Sequence, residues 1–251
     1  KKIFLIPKVD LEIARTFARY AMPFALAGIF VKVYSYIDTV LIQHMRGDLE
    51  VGFYSVPYKI TYAFQFFPMA LSAAIYPALA NTWKVDKLRA RWIFDRAILY
   101  AILLALPIAL GIAALAPEII LTVYGQEFFN SILPLQISIF GLIFIFLYFP
   151  VGALLNATDR QLVNTVFMGI TMLANVLLNL ILIPRYGAVG ASIAAVLTNA
   201  FLWLGTMLWS ARVLTPSKYV IHALFKTLLS VAAMTGSVIV LKGLIFWPLT
   251  I

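Results

Sequence analysis

Seven long apolar stretches occupy most of this chain and leave it few ways to fold. They run over residues 17–43, 52–79, 97–116, 132–155, 162–183, 189–214 and 222–247. At a helical rise of about 1.5 Å per residue, each is long enough to cross a hydrocarbon core about 30 Å thick. In lipid, backbone N–H and C=O groups find partners only inside a helix or a closed barrel. Barrel strands alternate over about ten residues, and these runs are too long and too continuous for that. The expected fold class is therefore all-α: a polytopic membrane helix bundle of about seven transmembrane helices.

Composition agrees. Of 251 residues 63% are apolar and 12% charged, where a soluble domain carries about 25% charged residues. Mean hydropathy is +0.99. An ordinary cytosolic enzyme, a disordered chain and a small secreted scaffold are all excluded. The chain has no cysteine, so neither a disulfide nor a thiolate metal site is available. It opens on Lys1 and ends at Ile251 within an apolar run, and reads as a piece of a longer protein.

The net charge of +9 is explained by where the charges fall. Lys1, Lys2, Lys8 and Arg15 precede the first stretch and Arg19 stands at its start, and Lys84, Lys87, Arg89, Arg91 and Arg96 lie between the second and third. Arg160 follows the fourth, and Arg212, Lys218 and Lys226 flank the link between the sixth and seventh. The opposite loops hold Arg46 and Arg185 beside Asp48, Glu50, Glu118 and Glu127. Short cytoplasmic loops carry the Lys/Arg excess. The N-terminus is thus expected in the cytoplasm, the seventh span is expected to end outside, and the location to be the cell membrane. Membrane lipids are expected partners and nucleic acid is not. Residues 81–96 mix Trp83 and Trp92 with Lys and Arg. Two readings of that segment stay open, a solvated loop with interfacial anchors or a specific lipid site.

Polar residues at membrane depth call for a reason. In the first stretch Gly28, Lys32, Ser35, Tyr36, Thr39 and Gln43 recur at helical spacing and read as one polar stripe. In the second, Tyr54, Tyr58, Thr61, Tyr62, Gln65 and Ser72 form another. Asp38 and Lys59 fall at similar depth if the two spans form a hairpin. They are then either an ion pair holding it or groups with a part in gating or substrate contact. Lys32 is either a ligand-binding cation or a side chain that snorkels or pairs with Asp38. Asn175 and Asn179 share a helix face, for interhelical hydrogen bonds or a cavity wall. The small residues from Gly187 to Ala195 suit close helix approach. Seven prolines in or beside the spans, among them Pro57 and Pro68, invite kinks. Neither an HExxH motif, a Cys/His cluster nor paired membrane-face carboxylates occur. No catalytic residue, metal ligand or cofactor is therefore expected.

Several segments carry a resemblance. The run from Tyr34 to Trp83 has Tyr36 and Asp38, then Val51-Gly52-Phe53-Tyr54, Tyr58-Lys59 and Tyr76-Pro77. LAPEIILTVYGQEF, GALLNATDRQ and NVLLNLILIPRYGAVGASIAAVLTN follow in order. Together they resemble the second lobe of polysaccharide (lipid-linked oligosaccharide) flippases, of the multidrug/oligosaccharidyl-lipid/polysaccharide exporter superfamily. The resemblance implies a cytoplasmic linker at 1–16, a six-helix lobe at 17–214 and an additional, truncated helix at 215–251. It also implies a missing N-terminal lobe as partner. The implied activity is transfer of a polyprenyl-(pyro)phosphate-linked oligosaccharide across the membrane. Lys32 and Lys59 would then contact phosphate, and Tyr36, Tyr58, Tyr62 and Gln65 sugar. The alternatives are a cation-coupled drug exporter, a non-transporting assembly subunit and, more remotely, a glycan-lipid transfer enzyme.

Overall fold

In the computed structural model, residues 11–246 are described. They form eight α-helices and one 3-10 segment. The helices are α1 (Leu11–Arg46), α2 (Asp48–Phe64), α3 (Phe66–Trp83), α4 (Lys87–Ala114), α5 (Ala116–Val123), α6 (Ile132–Ala157), α7 (Gln161–Ser210) and α8 (Lys218–Phe246), with the 3-10 segment at Gln126–Ser131. No strand occurs among the described residues. Lys1, Lys2, Lys8 and Trp247 lie outside them, as does most of the expected linker. Its last residues are already helical, since α1 begins at Leu11.

The second stretch is one passage broken at Gln65. Pro68 explains the break: it has no N–H to offer the carbonyl of Phe64, and its ring crowds that carbonyl. The 50 residues of α7 would be about 75 Å long if straight, more than twice a bilayer core. They turn back instead at Gly187, where φ is 54° and ψ −132°. The two halves, α7a (161–186) and α7b (188–210), pack antiparallel. A Cβ on Gly190 would stand 2.5 Å from the carbonyl oxygen of Leu182, and one on Gly205 2.5 Å from the Phe167 ring.

Five helical runs are long and apolar enough to span a membrane, at 21–46, 48–83, 87–114, 126–157 and 161–210. Counting the last as a hairpin gives six passes. Helix α8 is the seventh helix, with a shorter apolar run at Leu224–Val238. The all-α polytopic bundle is as expected.

Helix α6 is the axis of the bundle and packs against α2, α3, α4 and α7. Its Ile139, Leu142, Phe146, Val151, Leu154 and Leu155 are buried. Ala97, Ala101, Ala105 and Ala109 make a buried small-residue stripe on α4. Between membrane helices, where lipid is as apolar as leucine, such stripes give close van der Waals packing. Helix α8 leans on α4 alone among the larger helix contacts.

Polar contacts gather at the two ends. At one end Lys84 approaches Asp159 at 3.7 Å, and Asp86 caps α4 by accepting from the Arg89 N–H at 3.0 Å. There too Arg91 donates to the Thr215 carbonyl at 2.9 Å. Arg160 lies over the Trp209 ring and Arg96 over both Trp92 and Tyr219. At the other end Arg46 donates to the carbonyls of Ile183 (3.2 Å) and Pro184 (2.6 Å). Glu50 accepts from the Ala188 N–H at 2.9 Å. A cation thus ends α7a and an anion starts α7b, each matched to the local helix dipole.

Candidate functional site

A cavity of about 400 Å³ lies inside the lobe, between α1, α2, α6 and the α7 hairpin. Helical spacing puts its polar groups there. On α1, Tyr34 and Asp38 are four residues apart and face inward. On α2, Tyr54, Tyr58, Thr61 and Tyr62 follow the same rule, and Gln65 continues their face at the break after it. Helix α6 brings Ser138, Tyr148 and Asn156, and α7 brings Asn164, Thr171 and Asn199.

Asp38 is 6% exposed. Its Oδ2 accepts from the Tyr54 hydroxyl at 2.7 Å, and its Oδ1 from the Asn179 amide at 2.6 Å. The Asn179 Nδ2 also donates to Asn175 Oδ1 at 3.0 Å. Nearby, the Tyr34 hydroxyl and Thr198 Oγ1 hydrogen-bond at 3.0 Å. This polar layer ties α1 and α2 to both halves of α7. Three of its buried atoms have no protein partner: the Thr171 hydroxyl, Asn175 Nδ2 and Asn179 Oδ1. On the far wall Tyr148 donates to Asn164 Oδ1 at 3.0 Å.

The structure divides the residues singled out in the sequence into two groups. Tyr58, Tyr62 and Gln65 line the cavity, Tyr62 at its mouth with 60% of its surface exposed and its ring stacked on Tyr58 at 5.9 Å. Asp38, Asn175 and Asn179 come together as described. Lys32, Tyr36 and Lys59 do not line the cavity; all three are exposed. Lys32 Nζ sits 5.9 Å from the centre of the Tyr36 ring.

The reason is angular. At about 100° per residue, Lys32 and Tyr36 lie about 200° around α1 from Tyr34 and Asp38 respectively. Lys59 is about 100° around α2 from Tyr58 and about 140° from Tyr54. The expected Asp38–Lys59 pair is therefore not formed, and neutral donors take its place. What reads as one stripe on α1 has an inward edge at Ser35 and an outward edge at Tyr36. Tyr36 is nevertheless within electrostatic range of Tyr58, which brings the outward stripe near the tyrosine wall of the cavity.

Tyr34, Tyr148, Asn156 and Asn199 belong to the site without having been singled out. For the two amides a signal existed, since each interrupts an apolar run as Asn175 does. Tyrosines in such a run carry no comparable mark. Among the described residues, no group of three His, Cys, Asp or Glu side chains converges as a metal site would require.

Residues 2–133 match the polysaccharide biosynthesis protein family. The chain is 26% identical over 186 residues to the probable low-salt glycan biosynthesis flippase Agl15 of Haloferax volcanii, covering 73% of this chain and 39% of that protein. To the probable flippase AglR of the same organism it is 30% identical over 182 residues, 70% of this chain and 37% of that protein. The chain thus spans about two fifths of the length of these curated relatives. Among solved structures it shares its fold with the lipid II flippase MurJ, at a TM-score of 0.69 and 14% identity, over 99% of this chain and 58% of that one. With more than half of its residues matched, the chain belongs to the polysaccharide biosynthesis protein family, the polysaccharide flippases that its sequence resembles.

Proposed function

We propose that this chain is the second lobe, with one additional helix, of a transporter moving a polyprenyl-(pyro)phosphate-linked oligosaccharide from the cytoplasmic to the outer leaflet. It performs no covalent chemistry. The carrying observation is the exposed face of α1, where Lys32 and Tyr36 stand at mid-span outside the lobe. A lysine at the bilayer centre costs about 2.5–3.5 kcal/mol even on translocon scales. Such a face suits a hydrated cleft against another protein surface, here the N-terminal lobe, rather than lipid. Lys32, with Lys59 on the neighbouring helix, supplies the charge an anionic headgroup needs, while the lipid tail stays in the bilayer. The Lys/Arg-rich end of the bundle is the cytoplasmic one.

Expression of the full-length protein in a flippase-deficient strain tests this. Restored surface glycan is expected, with Lys32→Ala/Lys59→Ala reducing it about tenfold or more, the effect of losing a charged hydrogen bond, and Lys32→Arg retaining most of it. Full activity in the double variant removes the lysines from the mechanism. A second reading, a cation-coupled multidrug exporter of the same superfamily, draws support from Asp38, a buried carboxylate with only neutral partners.

A further inference from the structure

Resting on that reading, we propose that the cavity within the lobe is a subsite for a neutral sugar unit of the glycan, separate from the outward face that holds the phosphate. Among the described residues no Lys, Arg or His lines the cavity, and its one charged group is the carboxylate of Asp38. A phosphate entering it would meet a negative charge and no cation to offset it, in a low-dielectric wall where repulsion is strong. The substrate's two chemistries therefore have two addresses: the anion stays by Lys32, and the hydroxyl-rich part turns inward past Tyr36 and Tyr62.

The lining matches what a sugar offers. Three amides on the cavity wall, Gln65, Asn156 and Asn199, make no side-chain hydrogen bond among the described residues although they line a partly buried space. Each has two donors and one acceptor to give. The unpartnered Thr171 hydroxyl, 2% exposed, adds another. A water-miscible ligand with hydroxyls on every side satisfies such groups, whereas a purely apolar ligand leaves them bare. At the mouth the stacked Tyr58–Tyr62 pair presents an aromatic face to the apolar C–H face of a sugar ring. The volume, about 400 Å³, lies at the lower end of small-ligand pockets. It suits a terminal unit or two and excludes a whole oligosaccharide.

The test uses the purified full-length protein in nanodiscs, with saturation-transfer NMR on three probes: methyl glycosides, inorganic pyrophosphate and tetraphenylphosphonium. At least one methyl glycoside is expected to bind and to persist under equimolar pyrophosphate. Its affinity is expected to fall about fivefold in Asn199→Leu and again in Gln65→Leu. Gln65 stands at the break between α2 and α3, so this second variant reads the subsite even if Asn199→Leu disturbs packing. The proposal is overturned if no glycoside binds, if pyrophosphate or tetraphenylphosphonium displaces it, or if both variants bind as the native protein does. Restored surface glycan with unaltered glycoside binding in both variants would sink the subsite and leave the flippase reading standing. Loss of complementation by the native protein would sink that reading first.

Discussion

Gly187→Ala is expected to destabilise the lobe by about 3 kcal/mol, seen as a fall of roughly 10 °C in thermal unfolding of the detergent-solubilised protein. Two causes add. With φ at 54° and ψ at −132°, the residue sits where an L side chain is strained by about 1–3 kcal/mol. An added Cβ would also stand 2.5 Å from Glu50 Oε2 and 2.8 Å from its carboxyl carbon. The carboxylate can retreat only by giving up the Ala188 N–H it caps, and a lost cap costs about 1 kcal/mol. The partition is checkable by a double-mutant cycle. Glu50→Ala alone should cost about 1 kcal/mol, and Gly187→Ala should cost less in that background, because the collision is gone and only backbone strain is left. Gly236→Ala is the control: its Cβ would meet nothing within 4 Å, and no loss of stability is expected, only a gain of up to about 1 kcal/mol from replacing a glycine inside a helix. If Gly187→Ala behaves like the control, the hairpin turn is not held as described.

The same turn shows where sequence reading reached and where it stopped. The run of small residues from Gly187 to Ala195 signals close helix approach by composition alone. Gly190 meets that expectation with its backbone against the Leu182 carbonyl. Nothing local says that the partner is the other half of the same hairpin, or that the turn is held from 137 and 138 residues away by Arg46 and Glu50. Those two side chains enter the sequence reading only as loop charges. Their role as helix-end caps depends on a contact between distant elements, and pattern within one element carries no trace of it.

The site divides in the same way. Periodicity put Tyr58, Tyr62 and Gln65 on one face, and the structure has all three at the cavity. On α1 a spacing of three or four residues tolerates a wide arc, so Lys32 and Ser35 read as neighbours although one is exposed outside and the other lines the cavity. Proximity in depth suggested Lys59 for Asp38. Depth is one coordinate of three, and the rotation of α2 turns Lys59 away. The long passes and their two polar ends follow from solvation, which acts residue by residue. Azimuth and partner follow from packing, which does not.

Asn179→Leu is the second large effect, and its size measures how dry the polar layer is. Leucine keeps the branched heavy-atom shape of the amide, with somewhat more bulk, but cannot donate. The change leaves Asp38 Oδ1 without its 2.6 Å bond and Asn175 Oδ1 without its 3.0 Å bond, at a site where Asn179 is 0% exposed. If the layer is closed to water, stranding a charged acceptor costs about 2–4 kcal/mol. If water from the cavity reaches Asp38, it replaces the lost donor, and the cost falls to the roughly 0.6 kcal/mol typical of polar contacts between membrane helices. The burial of Asp38, 6% exposed, and of Asn175 and Asn179, both 0% exposed, favours the larger figure. Asp38→Asn in the Asn179→Leu background separates charge from shape. A neutral amide is cheaper to leave half-satisfied, so the double variant should regain about half of the loss in thermal unfolding. A double variant no more stable than Asn179→Leu alone would mean that packing, not the stranded carboxylate, set the cost. The carboxylate would then have no part in tying α1 to α7.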